Sequence, residues 1–325
     1  MMDQPYISFV VVARNDNHGE DFLSRMDAFV RNIIVLSEKC HLPCELIVVE
    51  WNPPGDRPRL REALSWPDIR REFIRIRIVE VPGEVHQKLP NPRKLQLFEF
   101  VGKNVGLRHA RAEYILTTNS DTLFNEDLVK FLASQRLHRG HFYRIDRRDV
   151  KMPLPVATVE NQLRYCQENV IQVYGYFWSR YDRKIGVKLR RCRQMRALAA
   201  YTLARIRMFP AVPLHCNAAG DFLLMHRDHW DAMQGFPELE TQGTSQHIDS
   251  LAVHMAEVGG LRQIILKSPM KLYHQDHSRP EPDRPMSAAV RDAMEEVRKT
   301  GCLPRAHVRN ITWGLGRESL AQSSL

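Results

Sequence analysis

The run Tyr114-Ile115-Leu116-Thr117-Thr118-Asn119-Ser120-Asp121 decides how this chain is read. Its first five residues are apolar, aromatic or β-branched, which predicts a short buried strand. The last three are a polar turn, and Asn125 beyond them is placed to cap a helix. A polar turn between a buried strand and a helix cap lies at a carboxyl edge, where open α/β sheets bind their ligands. A turn ending in Asp offers a hard oxygen to the divalent cation that a diphosphate requires. Taken alone, an Asp-capped β-turn explains Asn119-Ser120-Asp121 better, so the decision rests on what surrounds it.

Upstream, residues 98–110 read as a helix carrying Lys103-Asn104-Val105-Gly106-Leu107-Arg108. Its basic residues are placed to reach phosphate, and Gly106 allows close packing; a solvated basic face is the plainer reading. The chain opens with a strand-like run at 7–12, then Arg14-Asn15-Asp16, where a nucleotide base or ribose would lie. Residues 21–36 carry Phe22, Leu23, Met26, Phe29, Val30, Ile33 and Ile34 at helical spacing. A second strand at 45–49 runs into Glu50, Asn52 and two prolines, which forbid helix. Glu50 is placed to accept a hydrogen bond from a base imide, although Glu50 and Asn52 also fit ordinary turn chemistry. Residues 74–81 alternate as a third strand, and 82–96 read as loop. This β-α-β-x-β order predicts an α/β fold, a mostly parallel sheet with helices on both faces.

The 325 residues suffice for one large α/β domain or two joined halves. Hydrophobic residues make up 43% and charged residues 26%, a globular balance that excludes disorder as the default. The net charge of +9 favours anionic partners without choosing among them. Cysteines 40, 44, 166, 192, 216 and 302 form no Cys-x-x-Cys pair and read as reduced thiols. A basic leader and an apolar run of ~18–20 residues are both missing, so a cytoplasmic protein is expected. The stretch 157–209 is rich in Arg and Tyr, including Tyr174, Trp178, Arg180, Tyr181 and Arg190. It is expected to be a helical or loop insertion, with a basic face suited to an anionic membrane or a lipid-linked acceptor. The expected divisions are 1–130, 131–209 and 210–325.

Taken together, these segments resemble glycosyltransferases of the GT-A fold, most like family 2. The resemblance runs through the opening strand and turn to Asp16, Glu50, Lys103 to Arg108, and Ala112-Glu113-Tyr114-Ile115 leading into Asn119-Ser120-Asp121. It implies a nucleotide-sugar donor, UDP favoured, bound by Arg14, Asn15, Glu50, Asn52, Lys103, Asn104, Arg108, Asn119 and Ser120. It also implies Mn2+ or Mg2+ on Asp121. The family motif is Asp-x-Asp; here Asn119 replaces the first Asp and leaves a contact to ribose or sugar hydroxyls. Further on, Gly220-Asp221-Phe222 resembles the acceptor-binding segment. Asp249 stands where inverting members place their base, although His247-Ile248 replaces the expected Glu. In Tyr273-His274-Gln275-Asp276-His277, His274 is favoured over His277 as a metal ligand because it directly follows a strand-like run. Trp230 and Phe236 read as core.

Two other functions are weighed. A sugar-phosphate nucleotidyltransferase shares the sheet but needs a glycine-rich loop, and the turn 14–19 has one glycine. A nucleic-acid-binding protein would explain the charge, but no RNA- or DNA-binding module is present and acidic residues stand where the ligand should bind. No nucleic-acid partner is expected.

Overall fold

β1 (Ile7–Ala13) is buried at every residue, and its alternation sends Phe9 and Val11 to one face and Val10 and Val12 to the other. The computed structural model describes residues 4–175, 179–181, 214–242, 246–277, 286–308 and 312–325. After β1 come α1 (Phe22–Lys39), β2 (Cys44–Trp51), α2 (Leu60–Ala63) and β3 (Ile74–Val81). Next are α3 (Gly83–Lys88), α4 (Glu99–His109), β4 (Tyr114–Thr117), β5 (Thr122–Phe124) and α5 (Glu126–Ala133). The middle of the chain gives β6 (His141–Ile145), β7 (Arg147–Val150), α6 (Val159–Glu168), β8 (Val170–Tyr174) and β9 (Ser179–Tyr181). The later part gives β10 (Leu223–His226), α7 (Arg227–Met233), α8 (Ile248–Val258), β11 (Arg262–Leu266) and β12 (Leu272–Gln275). It ends with α9 (Ala288–Thr300), α10 (Arg305–Val308) and β13 (Gln322–Ser324).

The fold is mixed α/β. Among the described residues one sheet runs β11-β6-β10-β4-β1-β2-β3-β13, parallel except for β10 and β13. A second runs β5-β12-β7-β8-β9. The chain winds from β1 to β2 to β3, then returns through α4 to β4 on the other side of β1. That reversal is a switch point, at the carboxyl ends of β1 and β4, where open α/β sheets bind their ligands. Because β10 pairs with β4, the first sheet runs across the expected boundaries at 130 and 209.

Two apolar layers cover the first sheet. One packs α1 and α5 against Phe9, Val11, Leu46 and Leu116; the other packs α4, α7, α8 and α9 against Val10, Ile47, Ile115 and Met225. Trp230 and Phe236 are fully buried in the second layer, as expected. α4 lies close on the sheet because Gly102 and Gly106 touch it: a Cβ on either would overlap Val12 or Val10.

Some expectations need correction. Within 82–96 the segment Gly83–Lys88 is helical, since Val85 and His86 bury themselves against the sheet. Asp121 is followed by the strand β5, not directly by the helix that Asn125 caps. The described part of the stretch 157–209 is α6 and then two strands, which extend the second sheet. Residues 176–178 and 182–213, with most of the basic and aromatic side chains expected to form a docking face, lie outside the described residues. Cys40, Cys44, Cys166, Cys216 and Cys302 are free thiols. No described helix is long and apolar enough to cross a membrane.

Candidate active site

The turn 118–122 is braced by its own threonines. The Thr118 hydroxyl donates to the Asp221 carbonyl at 2.8 Å, and that of Thr122 donates to the Asn119 carbonyl at 2.9 Å. β5 then pairs antiparallel with β12, setting His274 opposite Thr122 and so beside Asp121. His274 Nε2 is 3.5 Å and His277 Nε2 3.2 Å from Asp121 Oδ2. Both histidines thus face the carboxylate, where the sequence reading preferred His274. His274 lies inside β12 rather than after it, and the chain leaving the strand brings His277 back to the same point.

These three side chains are the group among the described residues whose ligand atoms all lie within 4.8 Å of one another. They fit a divalent cation. Asp121 Oδ1 is buried and accepts no hydrogen bond, an acceptor that an ion would satisfy. Burial alone would push the Asp121 carboxyl up, but His274 and His277 hold it well below the usual carboxylate range. Burial opposes charge on His274 as well, yet Asp121 pushes its imidazolium up to about 9. Gly19, at φ +69°, lies directly beneath the His277 ring, and a Cβ there would overlap it.

Behind the histidines lies a pair that the sequence reading missed. Asp149 Oδ1 makes a 3.2 Å ion-pair contact with His274 Nδ1. Arg147 bridges Asp149, at 2.8 Å, to Asp221, also at 2.8 Å, and stacks over the Tyr174 ring. The signal was available: Arg147 and Asp149 stand two apart on a strand, hence on one face.

Asn119 and Lys103 carry the network onward. Asn119 Nδ2 donates to Asp221 Oδ1 at 2.7 Å, and its Oδ1 accepts from Lys103 Nζ at 2.7 Å. The Lys103 side chain is 0% exposed and donates also to Glu99 at 2.6 Å and the Gly220 carbonyl at 2.9 Å. Its three donors are therefore taken up by the protein. The Gly220 N–H donates to Asp249 Oδ2 at 2.8 Å. His247, not Asp249, occupies the N-cap of α8, so Asp249 lies in the first turn and faces the Gly220 turn. That turn is clamped by the buried Arg144, which donates to the carbonyls of His215, Asn217 and Ala219. The site thus gathers Asp121, His274, His277, Asn119, Asp221, Lys103 and Asp249, with Ser120 half-buried in the turn.

Other expected donor residues are held differently. Arg14 donates to the Asn52 carbonyl and pairs with Asp16; Asn15 is buried and donates to the Pro58 carbonyl. Asn52, at φ 43°, donates to the Gln96 carbonyl. Glu50 is 1% exposed, accepts the Leu60 N–H, and is pushed up to about 7 by burial. Asn104 is fully buried and clamps Phe236 through both its amide groups. Arg108 stacks on Trp313 at the far end of α4. α4 runs opposite to β4, so Lys103 reaches the carboxyl edge and Arg108 the amino edge. Cavities of about 380 Å³ beside His226 and about 440 Å³ between α1, α5 and α6 lie apart from these residues.

No family model matches the chain, and no curated protein matches it. Among solved structures it is similar to S. aureus TarS, at 15% identity and a TM-score of 0.42, over 83% of this chain and 37% of that one. The 1–349 portion of TarS matches at 14% identity and 0.43, over 83% and 60%. That portion in complex with UDP-GlcNAc matches at 13% and 0.42, over 84% and 59%. This chain therefore spans between 37% and 60% of the length of those chains.

Proposed function

We propose that this protein is a GT-A glycosyltransferase, moving a sugar from a nucleotide diphosphate, UDP favoured, to a hydroxyl of a glycan or lipid-linked acceptor. The observation that supports this most is the convergence at one switch point of an Asp121–His274–His277 group and, through Asn119, Lys103 and Gly220, of Asp249. A divalent cation on Asp121, His274 and His277 would neutralise the diphosphate of the leaving nucleotide. Two imidazoles beside one carboxylate favour Mn2+ over Mg2+. Asp249, fixed by the Gly220 amide, would take the proton from the attacking acceptor hydroxyl, giving inversion. Asp149 and Arg147 hold His274 and Asp221 in place. A cytoplasmic setting, with basic residues near an anionic membrane, accompanies this reading.

The test is calorimetry with Mn2+, then with UDP, on the wild type and on Asp121→Ala and His277→Ala. Mn2+-dependent UDP binding is expected in the wild type. At least a tenfold loss of metal affinity is expected in either variant, as removal of a ligand requires. Unchanged Mn2+ affinity in Asp121→Ala would sink the metal assignment, and a wild type indifferent to UDP would sink the donor.

A further inference from the structure

Glu99 opens α4 at the carboxyl edge, yet its side chain does not serve its own helix. An acidic residue in a first turn ordinarily complements the exposed N–H groups there. Here that work falls to Glu240, whose fully buried Oε2 accepts from the N–H groups of Phe100 at 2.7 Å and Val101 at 3.0 Å. Glu99 turns instead to Lys103, one turn along, with Oε1 on its ammonium at 2.6 Å. Such i,i+4 pairs usually decorate a solvated face. This lysine is completely buried, and its other two donors hold Asn119 and the Gly220 carbonyl. The N–H of Gly220 holds Asp249. Two carboxylates are thus fastened to one residue, Asp249 at its amide and Glu99, through Lys103, at its carbonyl. Pairing with Lys103 occupies one oxygen of Glu99, while its side chain keeps 32% of its surface exposed.

We propose that Glu99 is an acceptor-positioning residue, and that the acceptor is an uncharged polyhydroxylated molecule. This rests on the glycosyltransferase reading. The oxygen of Glu99 not held by Lys103 accepts hydrogen bonds from acceptor hydroxyls next to the one presented to Asp249, the usual partnership of carboxylate with sugar hydroxyl. The same pair of carboxylates repels an acceptor bearing phosphate or carboxylate near the reacting hydroxyl. Anionic chemistry is thereby confined to the donor side, where the Asp121–His274–His277 group lies.

The test compares the wild type with Glu99→Gln, which keeps an oxygen for Lys103 but loses the charge. Equal melting temperatures establish that the fold is retained. Saturation-transfer NMR on protein loaded with Mn2+ and UDP then probes methyl hexosides and methyl N-acetylhexosaminides against their 6-phosphates. Neutral glycosides are expected to bind the wild type and to weaken about tenfold or more in Glu99→Gln, as the loss of a charged hydrogen bond requires. The 6-phosphates are expected to bind only the variant. Equal binding of a neutral glycoside to both proteins overturns the role of Glu99, as does a wild type that prefers the 6-phosphate or binds no neutral glycoside. A wild type that fails to bind UDP with Mn2+ overturns the glycosyltransferase reading itself, and the role of Glu99 with it.

Discussion

Asn119 stands where the related motif has a carboxylate, and its contacts explain why an amide works there. Its Nδ2 must donate to Asp221 Oδ1 while its Oδ1 accepts from Lys103. Aspartate supplies only acceptors, so it keeps the lysine contact and sets a second carboxylate against Asp221, which is 2% exposed. Asn119→Asp, although it creates the Asp-x-Asp motif that this turn resembles, is therefore expected to lower stability by roughly 1–3 kcal/mol. It is also expected to weaken transfer, because the turn carrying Asp121 shifts. Urea denaturation beside a UDP-release assay checks both, and a variant as stable and active as the wild type would remove Asn119 from the network. At this scale the sequence reveals residue identity and nearby spacing. Asp121, Asn119, Lys103 and Asp249 are legible because each sits in a recognisable turn or helix. His277 is less so, because it lies two residues beyond the end of β12, and its place beside Asp121 is set by tertiary contacts that no local pattern announces.

α4 shows what a helix must give up to position one lysine. It is buried on nearly every side, Lys103 and Asn104 included. Its basic residues therefore form no single solvated surface: Lys103 is buried with its donors held by the protein, between the sheet and the 236–242 segment, while Arg108 is exposed at the far end beside Trp313. β1, β2 and β4 are legible as mostly apolar runs, since both faces are covered, and β3 as an alternation of Ile with Arg. β5 and α3 are not, being short and held by tertiary contacts. The glycines of α4 make its close approach possible, and Gly106→Ala tests this. Alanine favours helix over glycine by about 1 kcal/mol, yet here its methyl would meet Val10, with Val49 3.3 Å away. Overpacking of a core costs about 1–3 kcal/mol and should win. Gly106→Ala is expected to lower Tm and to draw Lys103 from Asn119 and Gly220, reducing transfer. A higher Tm with full activity would show that α4 rides more loosely on β1 than the contacts require.

Across the whole molecule, α1 joins the two sheets. One side of it packs Met26, Phe29, Ile33 and Ile34 into the layer over the first sheet. The other side makes specific polar ties to the second. Asn32 is buried, donates to the Phe124 carbonyl at 3.1 Å and accepts the Phe124 N–H at 2.9 Å, thereby closing both backbone groups of one β5 residue. The Arg25 carbonyl accepts from the Gln275 side chain of β12 at 2.9 Å. The Asp121–His274–His277 group lies along this seam: Asp121 is at the junction of β4 and β5, and His274 is on β12. Asn32→Ala leaves two buried backbone groups unpartnered at one residue, which costs about 1–3 kcal/mol for each group. The loss should fall unequally. Amide exchange is expected to quicken in β5 and β12 while β1 and β2 stay protected, because their ladders and apolar layers are untouched. Mn2+ affinity should fall in parallel, since the group needs both sheets in register, and added Mn2+ should restore part of the protection. Uniform acceleration across both sheets would show instead that they unfold as one unit. Unchanged Mn2+ affinity alongside a loosened β5 would place the ion's hold on β12 and the chain beyond it, without the help of Asp121.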